Sequence, residues 1–163
     1  MVSTNRTERS MGMHHPSYYF NPYSRNMNPG SIKLQDYGQK PFVVNIDQAT
    51  RQNTNYRTAL WTGKHFQVTV MSINVGDDIG LEVHPETDQF IRIEEGQGLV
   101  QMGDSKENLT FQVMAYEDYA IMIPAGKWHN VTNTGNRPMK VYVIYAPPEH
   151  PFGTVEETKP IES

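Results

Sequence analysis

The stretch GLEVHPETDQFIRIEEGQG, Gly80 to Gly98, decides how this chain is read. Its second half alternates: Gln89, Ile91 and Ile93 fall on one side of an extended chain, Phe90, Arg92 and Glu94 on the other. Arg92 and Glu94 belong in solvent, so Gln89 shares the inward side with two isoleucines. A buried amide is costly unless something hydrogen-bonds or coordinates it. The first half adds Glu82 and His84, so a carboxylate, an imidazole and an amide gather in a segment that otherwise has sheet character.

Outward from this stretch the pattern repeats. YRTALWTG, KHFQVTVMSINVG, IGLEVH, QGLVQMGD, LTFQVMAY, YAIMIP, KWHNVTNTG and RPMKVYVIYAP are strand-length runs rich in β-branched and aromatic residues, punctuated by Gly, Asn, Asp and Pro. PFVVNI is read as a further short strand and DQATRQN as one helical turn capped by Asp47. The spacing from Gly96 to Gly103 is read as hairpin chemistry. Regular short strands without a long helix predict an all-β antiparallel sandwich or barrel. In KHFQVTVMSI the alternation puts His65, Gln67, Thr69 and Met71 on one face and Phe66, Val68, Val70 and Ser72 on the other.

Composition narrows the function classes. The chain has 163 residues, enough for one domain with an appendage, and no cysteine, which excludes disulfides and thiolate metal sites. Net charge is −4, divided unevenly: residues 1–40 carry five Lys/Arg against two Asp/Glu, the remainder nine against sixteen. An acidic body argues against nucleic-acid binding. No run is long and apolar enough for a membrane span or a signal peptide, so the expected location is cytoplasmic, without a membrane partner. Three segments follow: a Tyr/Asn/Pro/Met-rich N-terminal extension over 1–40, a β-barrel over 41–150 and a C-terminal tail over 151–163. The extension, with His14, His15, Tyr18, Tyr19 and Tyr23, is read as disordered or as an arm that docks on a partner subunit.

Two spacings then match a known family. Gly76, five residues, Glu82, one residue, His84, four residues, Gln89, six residues and Gly96 resemble the first cupin motif, G-x5-H-x-H-x(3,4)-E-x6-G. Asp118, five residues, Pro124, one residue, Gly126, two residues, His129, three residues and Asn133 resemble the second, G-x5-P-x-G-x2-H-x3-N. The resemblance spans roughly Asn74 to Tyr145 and implies a single-domain cupin, a jelly-roll β-barrel of RmlC-like type. By position, the family's metal ligands fall on Glu82, His84, Gln89 and His129, with Glu82 in place of the first His, Gln89 in place of the Glu, and Asp118 in place of a leading Gly. Two imidazoles, a carboxylate and an amide oxygen form a donor set suited to Mn, Fe, Ni or Zn. Glu82 restores the negative charge that Gln89 gives up. The same four residues also fit a metal-free hydrogen-bond network.

The resemblance implies a divalent-metal cupin with a small polar, sugar-like ligand in the barrel, using isomerase- or lyase-type Lewis-acid chemistry or, with Fe(II), oxygenase chemistry. Glu82 and His65 are the candidates for proton transfer. The alternatives are a small-molecule binding module and a structural protein of spore-coat or surface-layer type. In the last reading the arm builds homodimers or larger assemblies.

Overall fold

The computed structural model describes residues 30–161. The part of the N-terminal extension with His14, His15, Tyr18, Tyr19 and Tyr23 lies outside them. Among the described residues the chain forms one short helix, α1 (Ile46–Gln52), and nine strands. The strands are β1 (Arg57–Thr62), β2 (Gln67–Ile73), β3 (Asp88–Glu95), β4 (Gln97–Gly103), β5 (Phe111–Tyr116), β6 (Ala120–Ile123), β7 (Trp128–Asn133), β8 (Met139–Ala146) and β9 (Val155–Glu156).

These strands make two antiparallel sheets, ordered β6-β3-β8-β2-β1-β9 and β5-β4-β7. Non-consecutive neighbours and two facing sheets give the jelly-roll arrangement. Alternation sets which side faces in: in β8, Met139, Val141, Val143 and Tyr145 are buried while Lys140, Tyr142 and Ile144 are half-buried. The sheets close over a core that includes Met71, Ile91, Ile93, Val100, Val131 and Val143. Gly96, at φ 92, turns the chain from one sheet into the other, and a Cβ there would lie 3.2 Å from the Met139 Cα. Hairpin chemistry therefore belongs only to the Gly103 end, where β4 leads into its partner β5.

Inward positions are graded along the barrel. Across β3, β8 and β2 the register aligns Gln89, Tyr145 and Gln67, then Ile91, Val143 and Thr69, then Ile93, Val141 and Met71. One end is polar and the other aliphatic. The faces assigned from sequence for Gln67, Thr69 and Met71, and for Gln89, Ile91 and Ile93, match this register, since all six are buried.

Several elements differ from expectation. The helix cap is Asn45, whose side chain accepts from the Gln48 backbone N–H; Asp47 lies in the first turn and pairs with Arg51. Asn45 wins because the cap must precede the first helical residue, Ile46, with extended backbone. The segment PFVVNI joins no ladder. Phe42, Val44 and Ile46 instead pack, with Ile32, Leu34 and Tyr37, on a second cluster of Ala49, Leu60 and Val70 outside the six-stranded sheet. Residues 30–40, counted with the extension in the sequence reading, thus cover that sheet, and Val155–Glu156, counted with the tail, pair with β1. The run IGLEVH is not a continuous strand. It meets β7 through an isolated bridge from Glu82 to His129 and an Ile79 N–H bond to the Val131 carbonyl, next to a second bridge from Asp78 to Thr132.

Candidate metal centre

Those bridges place the centre. Glu82 and His129 exchange backbone hydrogen bonds at 3.0 and 2.9 Å, pinning the β2–β3 connection to the edge of the three-stranded sheet. The Gly126 N–H donates to the His84 carbonyl at 2.8 Å, tying the other side of the connection to the β6–β7 turn. Glu82, His84 and His129 therefore converge, with one donor atom from each lying within 4.8 Å of the others. The Glu82 Oε1 is 3.1 Å from the Nε2 of His84 and 3.4 Å from the Nε2 of His129.

Both imidazoles are oriented from behind. The His129 Nδ1 donates to the Lys127 carbonyl at 2.9 Å, which leaves Nε2 as the ring nitrogen turned toward Glu82. His84 Nδ1 is 3.0 Å from the Glu149 Oε1, and the other Glu149 oxygen accepts from the Thr87 hydroxyl at 3.0 Å. A carboxylate behind a histidine is the arrangement that fixes ring orientation and raises the basicity of a metal-binding imidazole.

Electrostatics follow from this packing. Burial works against the Glu82 carboxylate, yet the adjoining imidazoles of His129 and His84 outweigh it and hold its pKa at about 2. Burial would lower His84, but Glu82 and Glu149 on either side raise it. The His129 Nε2 of the cluster is buried without a hydrogen-bond partner, as is the Gln89 Oε1 on the inward face of β3. Leaving a buried polar atom unpaired costs roughly 1–3 kcal/mol. Two inward Nε2 atoms beside a deprotonated carboxylate are a donor set that fits a divalent cation.

Gln89 sits on the inward face of β3 opposite Tyr145 and is 4% exposed, as its alternation requires. His65 is placed differently. It lies exposed in the β1–β2 turn and not on the strand, so it does not share the inward face with Gln67 and Met71. The turn takes Lys64 and His65 out of the ladder, because β2 begins only at Gln67. The second motif's Asn133 has a structural part: its Nδ2 donates to the Ile73 and Arg137 carbonyls at 2.9 and 2.8 Å, and its Oδ1 accepts from the Gly135 N–H.

Sequence reasoning missed Glu149 and His150. They follow Pro147 and Pro148, beyond the last long strand, and fold back over the polar end. The amide of Gln67 clamps the backbone of His150 with two 2.9 Å hydrogen bonds, one to its carbonyl and one from its N–H. The ring of His150 stands edge-on to Tyr145 at 4.9 Å, and the ring of His84 lies 5.9 Å from Tyr145. Burial, with the nearby Arg57 charge, pushes the pKa of His150 down to about 4. The only local signal was an acid and an imidazole between prolines.

Comparisons agree with this geometry. Residues 69–145 match the cupin domain family. The uncharacterized protein YrkC of Bacillus subtilis is 67% identical over 129 residues, covering 79% of this chain and 69% of that protein. An uncharacterized protein of Acanthamoeba polyphaga mimivirus is 39% identical over 120 residues, covering 73% of each. A Bacillus halodurans protein of known crystal structure superposes with a TM-score of 0.77 at 65% identity, over 77% of this chain and 96% of that one. With both motif spacings, the two-sheet barrel and the histidine–glutamate cluster in place, this chain belongs to the cupin domain family.

Proposed function

We propose that the protein binds a divalent transition metal through Glu82, His84 and His129, with Gln89 as a fourth donor, and acts on a small polar molecule in the barrel. The observation that carries this reading is the convergence of one carboxylate and two imidazole donors within 4.8 Å, with both Nδ1 atoms held by protein acceptors. Bound there, a divalent ion would supply Lewis acidity toward a carbonyl or hydroxyl oxygen, as isomerase- or lyase-type chemistry requires.

The chain's own groups do the rest. Glu149 orients His84, and the Lys127 carbonyl orients His129. Burial holds the Tyr145 hydroxyl up at about 12, so at neutral pH it is a donor and not a phenolate. His150, neutral at pH 7, has a buried Nε2 with no partner. In this reading it takes the proton-transfer place first considered for His65.

The test is elemental analysis of untagged protein after reconstitution with Mn, Fe, Ni and Zn, wild type beside Glu82→Ala and His129→Ala. The expected result is about one ion per wild-type chain and a loss of at least tenfold in affinity for each variant. Wild type that takes up no stoichiometric metal would overturn the reading.

A further inference from the structure

An apolar row crosses the outer face of the six-stranded sheet and is covered over only part of its length. The register sets Met122 of β6 opposite Phe90 of β3, Phe90 opposite Ile144 of β8, and Ile144 opposite Val68 of β2. Alternation turns all four away from the barrel interior, where Gln89, Ile91 and Val143 are buried. At its β2 end the row is sealed, because Val68 and the neighbouring Tyr142 pack with Ile32, Leu34, Phe42 and Val44 in the outer cluster. The ring of Phe90 stacks on Tyr142 at 6.1 Å, so the sealed and open parts are continuous. At its β6 end the row is bare. Met122 is 66% exposed, Phe90 and Ile144 are half-buried, and with Pro124 they line a groove of about 430 Å³. The one charged side chain in that lining is the exposed Asp88.

We propose that residues 18–23 of this same chain cover the bare end of the row, with their aromatic rings on Met122, Phe90 and Ile144. The place where the described chain begins is the first reason. The Gly30 carbonyl accepts from the Gln48 side chain of α1, and Ile32 and Leu34 already lie on this face, so the residues before Gly30 are delivered beside the row. Reach is the second. Tyr23 stands seven residues before Gly30, which spans up to about 23 Å when extended, whereas four strands side by side are about 14 Å across. Composition is the third. Tyr18, Tyr19, Phe20 and Tyr23 fall within six residues, and tyrosine buries its ring while its hydroxyl stays wet, which suits a shallow groove. Arg25 is the one charged residue between Tyr18 and Gly30, opposite in sign to Asp88. Because the segment is tethered, its effective concentration at the groove is on the order of millimolar, and a weak contact is enough to hold it. The proposal does not rest on the metal-binding reading.

The experiment treats the full chain with chymotrypsin, which cuts after aromatic residues, and follows cleavage at Tyr18, Tyr19, Phe20 and Tyr23 by mass spectrometry. Met122→Lys, a change at an exposed position, is expected to raise the cleavage rate there at least tenfold over wild type. In a second measurement the methionine methyl groups carry ¹³C. Replacing Tyr18, Tyr19, Phe20 and Tyr23 together by serine in the full chain is expected to move the Met122 methyl resonance, since the ring currents are lost. Neither readout depends on metal. Equal cleavage of wild type and Met122→Lys, or a Met122 resonance indifferent to the serine substitutions, would overturn the proposal. Isotope-filtered spectra of mixed labelled and unlabelled chains locate the source of the rings. Contacts from Met122 to tyrosines of its own chain support the proposal, and contacts only between chains overturn it in favour of an interface between copies.

Discussion

A carboxylate held at about 2, against an ordinary 4.5, ties folding to pH. Because its folded value is depressed, Glu82 stabilises the metal-free protein above about pH 4.5 and loses that contribution as pH falls toward 2, on the order of 3 kcal/mol in all. The raised pKa of His84 works in the other direction: its contribution is full below its ordinary 6.5 and is lost as pH rises through its folded value. The pair is therefore strongest between roughly pH 4.5 and 6.5. Urea denaturation of chelator-treated Glu82→Gln beside wild type should show a deficit near pH 6 that shrinks toward pH 2; a deficit independent of pH would refute the pairing. At the same scale, Asn133→Ala leaves the Ile73 and Arg137 carbonyls without their donor and is expected to cost about 2 kcal/mol. A chemical melt measures it, and unchanged stability would count against the bracing role. Asp118 shows why a departure from a motif can be harmless. It keeps the left-handed backbone of the expected glycine, at φ 71, and its side chain accepts from Arg92 at 2.8 Å.

At the scale of elements, strands with one polar and one buried side were legible from alternation, which is why β2 and β3 could be assigned with their faces. Short apolar runs without a neighbour to pair with were not. PFVVNI has strand composition, but its side chains are taken by the outer cluster around Leu60 and its backbone joins no ladder. IGLEVH is bent into bridges because it must carry Glu82 and His84 into the barrel. The outer cluster should matter to stability and not to the site. Leu60→Ala, at a position 1% exposed, is expected to destabilise by about 2–5 kcal/mol while metal content per folded chain stays at the wild-type value. Thermal denaturation and elemental analysis on one preparation check both halves, and lost metal in a folded variant would show that the cover supports the site.

For the whole molecule, the centre adds to the backbone bonds that tie the β2–β3 connection to β7 and to the Thr87–Glu149 pair that ties it to the segment after β8. An ion bound only by the folded arrangement stabilises it by mass action, about 2.7 kcal/mol at a hundredfold excess over Kd. Adding a chelator should therefore lower the melting temperature of wild type by several degrees and leave Glu82→Ala unmoved; equal shifts in both would argue against the triad. Among the described residues no helix is long and apolar enough to cross a membrane.

The sequence by itself determined the barrel and the three residues of the candidate cluster. The two-residue period of strands and the fixed motif spacings are local, and local geometry is written in consecutive residues. Gln89 could be called inward because two isoleucines share its period, and Glu82, His84 and His129 could be named because their spacing resembles the two cupin motifs. Which groups complete the site was decided only in three dimensions. Glu149 reaches His84 across a reversal of the chain, and His65 is lost to a turn that begins β2 two residues late. These outcomes depend on where separate strands meet, and no periodicity within one strand carries that information.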